Sequence, residues 1–462
     1  MKVEQLYTKC LAQGAYFISN KGEAVVIDPL REVDQYIQLA KENNSTIKYI
    51  FETHFHADFV SGHVDLARKT GATIVYGPTA DPAFDCLVAE DNQEFKVGDL
   101  TIRLLHTPGH TPESSCFLLI DENGKETAIF TGDTLFLEDV GRPDLAQKAT
   151  NMTQEDLAGM LFDSLRNRIM PLADDIMVYP AHGAGSACGK NMSSDTQDLL
   201  GNQKRTNYAL RADMTKEEFI KEVTTGILPP PAYFPLNAAM NKNGYDSIDE
   251  VIARGTKALS LDEFKQEIAN GALILDVRTQ AEFIKGFIPN SLFIGLNGQF
   301  AMWVGAIIQD IKQRIVLITP EGKEEETVTR LARVGYDYTV GYLKGGIDAW
   351  DGELNTITSI SAEELEATPN CNIVDVRKPG EWQSEHVENA MHYPLDYMND
   401  DLNKLDKNTT YHIHCAGGYR SVIAISLLMQ HGYKNLIDVA GGYGAIKNTS
   451  IPKTNYTCPS TL

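Results

Sequence analysis

The stretch THFHADF at residues 53–59 follows the apolar run IKYIF at residues 47–51. This run predicts a short strand, which would place His54, His56 and Asp58 where the strand ends and a loop begins. Imidazoles and carboxylates at alternate positions suit borderline divalent cations. The stretch therefore predicts a metal site at the end of a strand.

Three later turns carry the same kinds of side chain. His110 ends the segment TPGH at residues 107–110, Asp133 ends TGD at 131–133, and His182 lies in PAHG at 180–183. Each segment follows a predicted strand. Four strand ends that each present a histidine or an aspartate are hard to obtain by chance, so we expect them to meet at one metal centre.

This pattern resembles the metallo-β-lactamase superfamily, whose motif reads His-x-His-x-Asp-His and is followed by a later His, a bridging Asp and a last His. Here Phe59 stands at the final histidine of the motif, and a phenyl ring cannot bind a metal. The resemblance implies that this position helps to hold a second ion. We therefore expect one ion, on a face made by His54, His110 and Asp133, an arrangement typical of ferrous iron.

Within the superfamily, such one-iron chemistry resembles the persulfide dioxygenases. That resemblance implies one Fe(II) per chain on the three ligands named above. It makes His56, Asp58 and His182 the groups that surround the ligands, although spacing alone does not exclude His56 from binding the ion. The turn GRPD at residues 141–144 also resembles a turn of glyoxalase II and its dioxygenase relatives.

The composition narrows the range of partners. The 462 residues include 41 basic and 63 acidic side chains, for a net charge of −22, and no dense Lys/Arg run. We therefore expect neither a nucleic-acid nor a membrane partner. No secretory leader or membrane-spanning run is found, and the seven cysteines form no Cys-x-x-Cys pair. These features predict a cytoplasmic protein.

An internal repeat of about 100 residues occupies the second half of the chain. SLDE at residues 260–263 recurs as SAEE at 361–364, each a Ser-x-x-Glu capping box that predicts a helix start. LDVR at residues 275–278 recurs as VDVR at 374–377. Each copy resembles a rhodanese domain, which implies a parallel sheet covered by helices.

The second copy carries the loop CAGGYRS at residues 415–421, between the apolar strand at 411–414 and a predicted helix at 422–430. Backbone N–H groups and a helix N-terminus favour a thiolate or an anionic persulfide at Cys415. The Cys-x4-Arg spacing resembles the sulfurtransferase loop, which implies that Cys415 is the nucleophile and Arg420 an electrostatic residue. The residues expected to cradle the persulfide are Ala416, Gly417, Gly418, Tyr419 and Ser421.

The first copy has TPEGKEEE at residues 319–326 in the corresponding place, and no cysteine occurs between residues 189 and 370. Three consecutive glutamates would also disfavour an anion there. We expect a pseudo-rhodanese with a structural, docking or channel-lining role.

The predicted fold is α/β, with three domains. Residues 1–240 form an αββα metallo-β-lactamase sandwich, 241–355 the pseudo-rhodanese and 356–462 the catalytic rhodanese. Residues 195–223 have a helical pattern, and the proline-rich segment 228–235 is expected to be extended. Strands are expected within the sandwich at 24–27, 73–76, 100–105, 115–120, 128–130 and 175–179.

The order of domains resembles the persulfide dioxygenase-rhodanese fusion proteins of sulfide detoxification. This resemblance implies that a thiol persulfide and O2 give sulfite, and that Cys415 passes sulfane sulfur to sulfite to give thiosulfate. The alternatives are a two-metal thioester hydrolase of the glyoxalase II kind and a sulfur carrier without oxidising activity. The sequence does not distinguish glutathione, coenzyme A and bacillithiol as the thiol, and it is compatible with a homo-oligomer.

Overall fold

The computed structural model describes residues 1–147, 151–184, 186–190 and 192–457, which fall into two units. The first unit contains Met1–Ile248 and Ala332–Gly335. The second unit contains the remaining described residues from Asp249 onward, and so includes both rhodanese-like copies. This division does not decide the domain boundaries predicted after residues 240 and 355, which stay predictions.

Two six-stranded sheets form the frame of the first unit. The first sheet contains, in spatial order, β1 (Lys2–Thr8), β2 (Gln13–Asn20), β3 (Glu23–Ile27), β4 (Thr46–Phe51), β5 (Thr73–Tyr76) and β6 (Leu87–Val88). The second contains β7 (Glu94–Val97), β8 (Leu100–His106), β9 (Ser115–Ile120), β10 (Glu126–Gly132), β11 (Met177–Pro180) and β12 (Asp198–Leu199). In the second sheet only β10 and β11 pair in parallel.

The core of the first unit lies between these sheets, because alternate apolar side chains of each sheet point inward. Phe51 and Val75 of the first sheet belong to the same buried cluster as Phe117 and Phe130 of the second. The outer faces are covered by helices, in two further buried clusters. The predicted αββα sandwich is confirmed.

Six α-helices are found among the described residues of the first unit: α1 (Asp34–Glu42), α2 (His63–Thr70), α3 (Gln154–Ser164), α4 (Leu200–Thr206), α5 (Lys216–Thr224) and α6 (Phe234–Asn243). The prediction of a helix over residues 195–223 is wrong in part, since strand β12 and a break at Asn207 interrupt it. The segment 228–235 is not extended throughout, because Pro235 stands in the first turn of α6, where its missing N–H costs nothing. No helix among the described residues has both the length and the apolar composition to cross a bilayer.

Two five-stranded parallel sheets form the second unit, with the same strand order in each copy. The first copy has the order β13 (Ala258–Leu259), β17 (Thr339–Leu343), β16 (Ile315–Ile318), β14 (Leu273–Asp276) and β15 (Leu292–Phe293). The second has β18 (Thr358–Ile360), β22 (Leu436–Val439), β21 (Tyr411–His414), β19 (Asn372–Asp375) and β20 (Met391–His392). The predicted repeat and its parallel sheets are confirmed.

The helices from residue 248 onward are α7 (Ile248–Gly255), α8 (Leu261–Ala269), α9 (Gln280–Lys285), α10 (Phe300–Ile307), α11 (Glu324–Ala332), α12 (Ala362–Glu366), α13 (Pro379–Ser384), α14 (Tyr419–Gln430) and α15 (Gly442–Ile446). Both predicted capping boxes are present, at Ser260 and at Ser361. The repeated Asp-x-Arg motif makes a buried ion pair in each copy, at 2.6 Å between Arg Nη2 and Asp Oδ2. The motif therefore has a structural role.

Candidate metal centre and sulfur-transfer loop

The predicted ligands converge because their segments follow neighbouring strands of the two packed sheets. His54 lies just after β4, Asp133 directly after β10, and His110 in the loop that joins β8 to β9. The Nε2 atoms of His54 and His110 lie 3.8 Å and 3.4 Å from Asp133 Oδ2. All three side chains are buried, and together they could hold a metal ion.

Both imidazoles are oriented by hydrogen bonds at Nδ1. His110 Nδ1 donates to the backbone oxygen of Arg142 at 2.8 Å, because a carbonyl oxygen can only accept. Thr53 Oγ1 donates to Asp28 Oδ2 at 2.9 Å, so at 3.0 Å it accepts from His54 Nδ1. In the neutral form of each ring, the Nε2 lone pair then faces Asp133, as metal binding requires.

The protonation state of His54 suits the same role. Burial lowers its pKa well below the ordinary value, and the neighbouring His56, His110 and His182 lower it further. His54 is therefore neutral at pH 7. Both carboxylate oxygens of Asp133 are buried without a hydrogen-bond partner among the described residues. An uncompensated buried carboxylate is costly, so two imidazole nitrogens facing Asp133 fit a bound cation better than they fit an empty site.

His182 and Asp58 form a second buried pair beside this face. His182 Nε2 lies 3.4 Å from Asp58 Oδ2 and 3.5 Å from Asp133 Oδ1, and its Nδ1 donates to the backbone oxygen of Ala12 at 3.3 Å. Together with His56, these two groups could also hold a metal ion. Their predicted role as surrounding groups stays a prediction.

His56 is held by two carboxylates that the sequence analysis did not single out. Its Nε2 lies 3.1 Å from Asp28 Oδ1 and 3.5 Å from Glu52 Oε2. Burial by itself would lower the pKa of His56, but Asp28 and Glu52 outweigh it and raise the pKa to about 9. A protonated imidazole has no lone pair for a metal. The signal in the sequence was a single carboxylate directly after each of two apolar strands, β3 and β4.

Phe59 fills the place next to His56. Its side chain is fully buried, and the centres of the two rings are 4.4 Å apart. An apolar ring thus occupies the position that the family resemblance would assign to a ligand of a second metal. Cys188 lies close to Asp133 and His182, and these three buried residues form a further group that could hold a metal ion. Burial raises the pKa of the Cys188 thiol well above the ordinary value.

The loop of the second copy surrounds the sulfur of Cys415 with polar groups. Gly418 N donates to Cys415 Sγ at 3.1 Å, and the Cys415 thiol lies 3.8 Å from Ser421 Oγ, which donates to Asp438 at 2.7 Å. Gly418 has φ of +95°, a conformation that glycine adopts without strain, and it is the N-cap residue of helix α14. This helix starts at Tyr419, three residues before the predicted helix.

Arg420 does not donate to the sulfur. Its guanidinium makes a two-point contact with the carboxylate of Glu381, at 2.6 Å and 2.8 Å. Ala416 and Gly417 are exposed at the mouth of the loop, whereas the Cys415 side chain is buried. The loop thus opens into a pocket of about 490 Å³ that Cys415 and Arg420 both line.

The corresponding loop of the first copy holds one of its own carboxylates. Thr319 stands directly after β16, where Cys415 follows β21. Glu324 Oε1 accepts from Thr319 Oγ1 at 3.4 Å and from Gly322 N at 3.3 Å. A fixed carboxylate at this point would repel an anionic persulfide.

Two family profiles match the chain. The metallo-beta-lactamase superfamily profile matches residues 9–182, and the rhodanese-like domain profile matches residues 260–353 and 361–449. A crystal structure of a metallo-beta-lactamase from Staphylococcus aureus subsp. aureus COL is 30% identical, with a TM-score of 0.64, and the match covers 74% of this chain and 98% of that one.

Among the curated relatives, two match part of the chain with about 30% identity. Persulfide dioxygenase ETHE1, mitochondrial, of Homo sapiens is 31% identical over 45% of this chain and 74% of its own length. A hydroxyacylglutathione hydrolase of Francisella tularensis subsp. novicida is 32% identical over 36% of this chain and 61% of its own length. The chain thus spans about three fifths of that hydrolase. The present chain belongs to the metallo-beta-lactamase superfamily and carries two rhodanese-like domains after its metallo-beta-lactamase domain.

Proposed function

We propose that the first unit binds one Fe(II) through His54, His110 and Asp133 and oxidises a thiol persulfide with O2. The observation that carries this proposal is the pair of imidazoles with their Nδ1 atoms already engaged and their Nε2 atoms directed at one buried carboxylate. Two histidines and one carboxylate on one face leave positions open for O2 and substrate. The similarity to a persulfide dioxygenase supports the choice of substrate.

The reaction converts R–S–SH, O2 and H2O into R–SH, sulfite and two protons. Ferrous iron, when bound, supplies electrons to O2 and a positive charge next to the anionic substrate. Thr53 and the carbonyl of Arg142 hold the two ligand rings in place. Burial of all three ligands keeps bulk water away from the centre.

The second candidate for this site is a thioester hydrolase, which the similarity to a hydroxyacylglutathione hydrolase supports. Such a reaction calls for two metals that generate and place a hydroxide. Phe59 argues against it, because an apolar ring occupies the position of a ligand to the second metal.

These functions are separated by assaying one Fe(II)-loaded preparation with a panel of persulfides and with a glutathione thioester. The persulfides are those of glutathione, coenzyme A and bacillithiol. We expect oxygen uptake with at least one persulfide and no thioester hydrolysis above background. Hydrolysis without oxygen uptake would favour the hydrolase, and the absence of both would favour a sulfur carrier.

We also propose that Cys415 carries sulfane sulfur to sulfite. The Cys415 thiolate attacks the outer sulfur of R–S–SH, so that Cys415–S–SH forms and R–S⁻ leaves. Sulfite then attacks the outer sulfur of Cys415–S–SH. The products are thiosulfate, a proton and the Cys415 thiolate. The Gly418 N–H lies in hydrogen-bond contact with Sγ and stabilises the thiolate at both stages.

The Cys415→Ser protein tests this role, because a serine keeps the size of the side chain but cannot hold a persulfide. We expect iron and oxygen uptake to be kept, with sulfite released early in the reaction in place of thiosulfate. Cys371→Ser, a change at a partly buried cysteine before β19, serves as the control and should keep the parent ratio of products. Thiosulfate formed at the parent rate by Cys415→Ser would show that transfer occurs elsewhere.

A further inference from the structure

The pocket above Cys415 has walls from both rhodanese-like copies. The second copy supplies Cys415, Arg420 and other residues of the loop and of α13. The first copy supplies Gln280, Asn297, Gly298, Gln299 and Trp303, although it has no cysteine of its own. Both copies belong to the second unit, so the pocket is formed within one unit.

The first copy also packs directly against the sulfur-transfer loop. Tyr419, in this loop, donates its phenol hydrogen to the backbone oxygen of Gly295 at 2.6 Å. Gly298 approaches the Tyr419 ring so closely that a Cβ at this position would lie 2.3 Å from a ring carbon. The wall and the loop therefore hold a fixed position relative to each other.

The wall that the first copy supplies, called here the amide wall, has only neutral side chains among its described residues. Asn297 Nδ2 donates to Gln280 Oε1 at 3.1 Å, which leaves a carbonyl oxygen on Asn297 and an amide nitrogen on Gln280 for other partners. Trp303 adds an apolar surface and is only 4% exposed. Amides beside an aromatic surface suit the peptide-like groups of an organic ligand, because they can both donate and accept.

The charges in the pocket come from the second copy. Lys378 is exposed, while the guanidinium of Arg420 is already paired with Glu381 at 2.6 Å. Lys378 Nζ lies 3.8 Å from Asp396 Oδ1, so each of these two cations already has a carboxylate near it. A small dianion such as thiosulfate therefore gains little electrostatic attraction from this pocket.

We propose that the first copy is the binding wall for the carrier part of the sulfur donor, meaning the organic group R of R–S–SH. The wall selects amide-bearing thiol persulfides over inorganic sulfane donors. This inference rests on the proposed role of Cys415 in sulfur transfer. Because Cys415 is 1% exposed at the base of a pocket of about 490 Å³, a donor that reaches its sulfur must leave its carrier part in the pocket.

The test is the double variant Gln280→Ala/Asn297→Ala, since both side chains are at least partly exposed and their loss should leave the fold intact. Sulfur transfer to cyanide is measured without oxygen, with glutathione persulfide or thiosulfate as donor, and the Cys415→Ser protein gives the background. The quantity compared is the ratio of kcat/KM for glutathione persulfide to kcat/KM for thiosulfate. We expect this ratio to fall about tenfold, through loss of the hydrogen bonds to the carrier part.

The matched control is Gln266→Ala/Asn270→Ala. These residues form the same kind of amide pair, at 3.2 Å, on the exposed face of the same copy, and they do not line the pocket. The control should keep the parent ratio. An unchanged ratio in the Gln280→Ala/Asn297→Ala protein, including an equal loss with both donors, would overturn the inference. A parent protein that transfers sulfur from neither donor would instead overturn the proposed role of Cys415.

Discussion

Thr53 Oγ1 accepts a hydrogen bond from His54 Nδ1 at 3.0 Å, between two residues adjacent in the chain. The direction of this bond is fixed because the Thr53 hydroxyl hydrogen is given to Asp28 Oδ2. The Thr53 hydroxyl thus links the buried Asp28 carboxylate to His54, a predicted iron ligand, by two hydrogen bonds. Outer groups of this kind orient a ligand ring and raise its basicity.

The first prediction follows from this contact. Thr53→Val keeps the shape of the side chain but removes the acceptor for His54 Nδ1, so the imidazole can rotate and take the other tautomer. We expect iron affinity to fall about 10- to 100-fold, as measured by competition with a chelator. Thr53→Ser keeps the hydroxyl and should retain affinity close to that of the parent. Equal affinity in the Val variant would mean that the bond does not orient the ligand.

The second prediction concerns Phe59. Phe59→His restores an imidazole beside Asp58 and near His182, so binding of a second divalent ion such as zinc should increase. Zinc per chain after dialysis is the measurement. Phe59→Leu removes the ring without adding a ligand and should leave the zinc content unchanged. If the His variant binds no more zinc than the Leu variant, the inferred geometry around residue 59 is wrong.

The third prediction is a loss of stability of the second unit in mild acid. Burial lowers the pKa of His412 and of His414, and for His414 the nearby Asp375 opposes this effect without cancelling it. An unfolded histidine has a pKa of about 6.5, so below that pH each of these two histidines binds more protons in the unfolded chain than in the native chain. The contribution of these two histidines to the free energy of unfolding is therefore fully present above about pH 6.5. It falls as the pH drops, by at most about 1.4 kcal/mol per pH unit for each histidine.

Urea unfolding followed by tryptophan fluorescence at pH 7.5 and 5.5 tests this. All three tryptophans, Trp303, Trp350 and Trp382, belong to the second unit. His412→Phe should reduce the difference between the two midpoints, whereas His431→Gln, at an exposed position after α14, should not. A parent midpoint that does not fall at pH 5.5 would contradict the prediction.

Much of the fold followed from local patterns. The predicted strands at 73–76 and 115–120 have the observed bounds, because each is an apolar run with polar or turn residues on both sides. The capping boxes at Ser260 and Ser361 also form as expected, since a capping box needs only two residues three positions apart. The helix predicted over 195–223 is wrong in part, because pairing of β12 with β11 outweighs local helix propensity at residues 198–199.

The sequence could not predict the groups that act across the fold. The Arg142 carbonyl that orients His110 is a backbone atom, which no side-chain pattern reveals. Asp28 lies far from the histidine motif in the sequence, and Glu52 lies directly before it, between β4 and Thr53. The contact of both carboxylates with His56 depends on how β3 and β4 pair. The amide wall over Cys415 comes from the other copy of the repeat and is evident only once the two copies are packed.

The main proposal for this protein is that one iron, held in part by Asp133, carries the oxidation. It is tested most directly by measuring bound iron and initial oxygen uptake with glutathione persulfide in the parent and in Asp133→Ala, after anaerobic loading with Fe(II). We predict close to one iron per chain and rapid oxygen uptake in the parent, and neither above background in the variant. An iron-free Asp133→Ala protein with the oxygen uptake of the parent would contradict it.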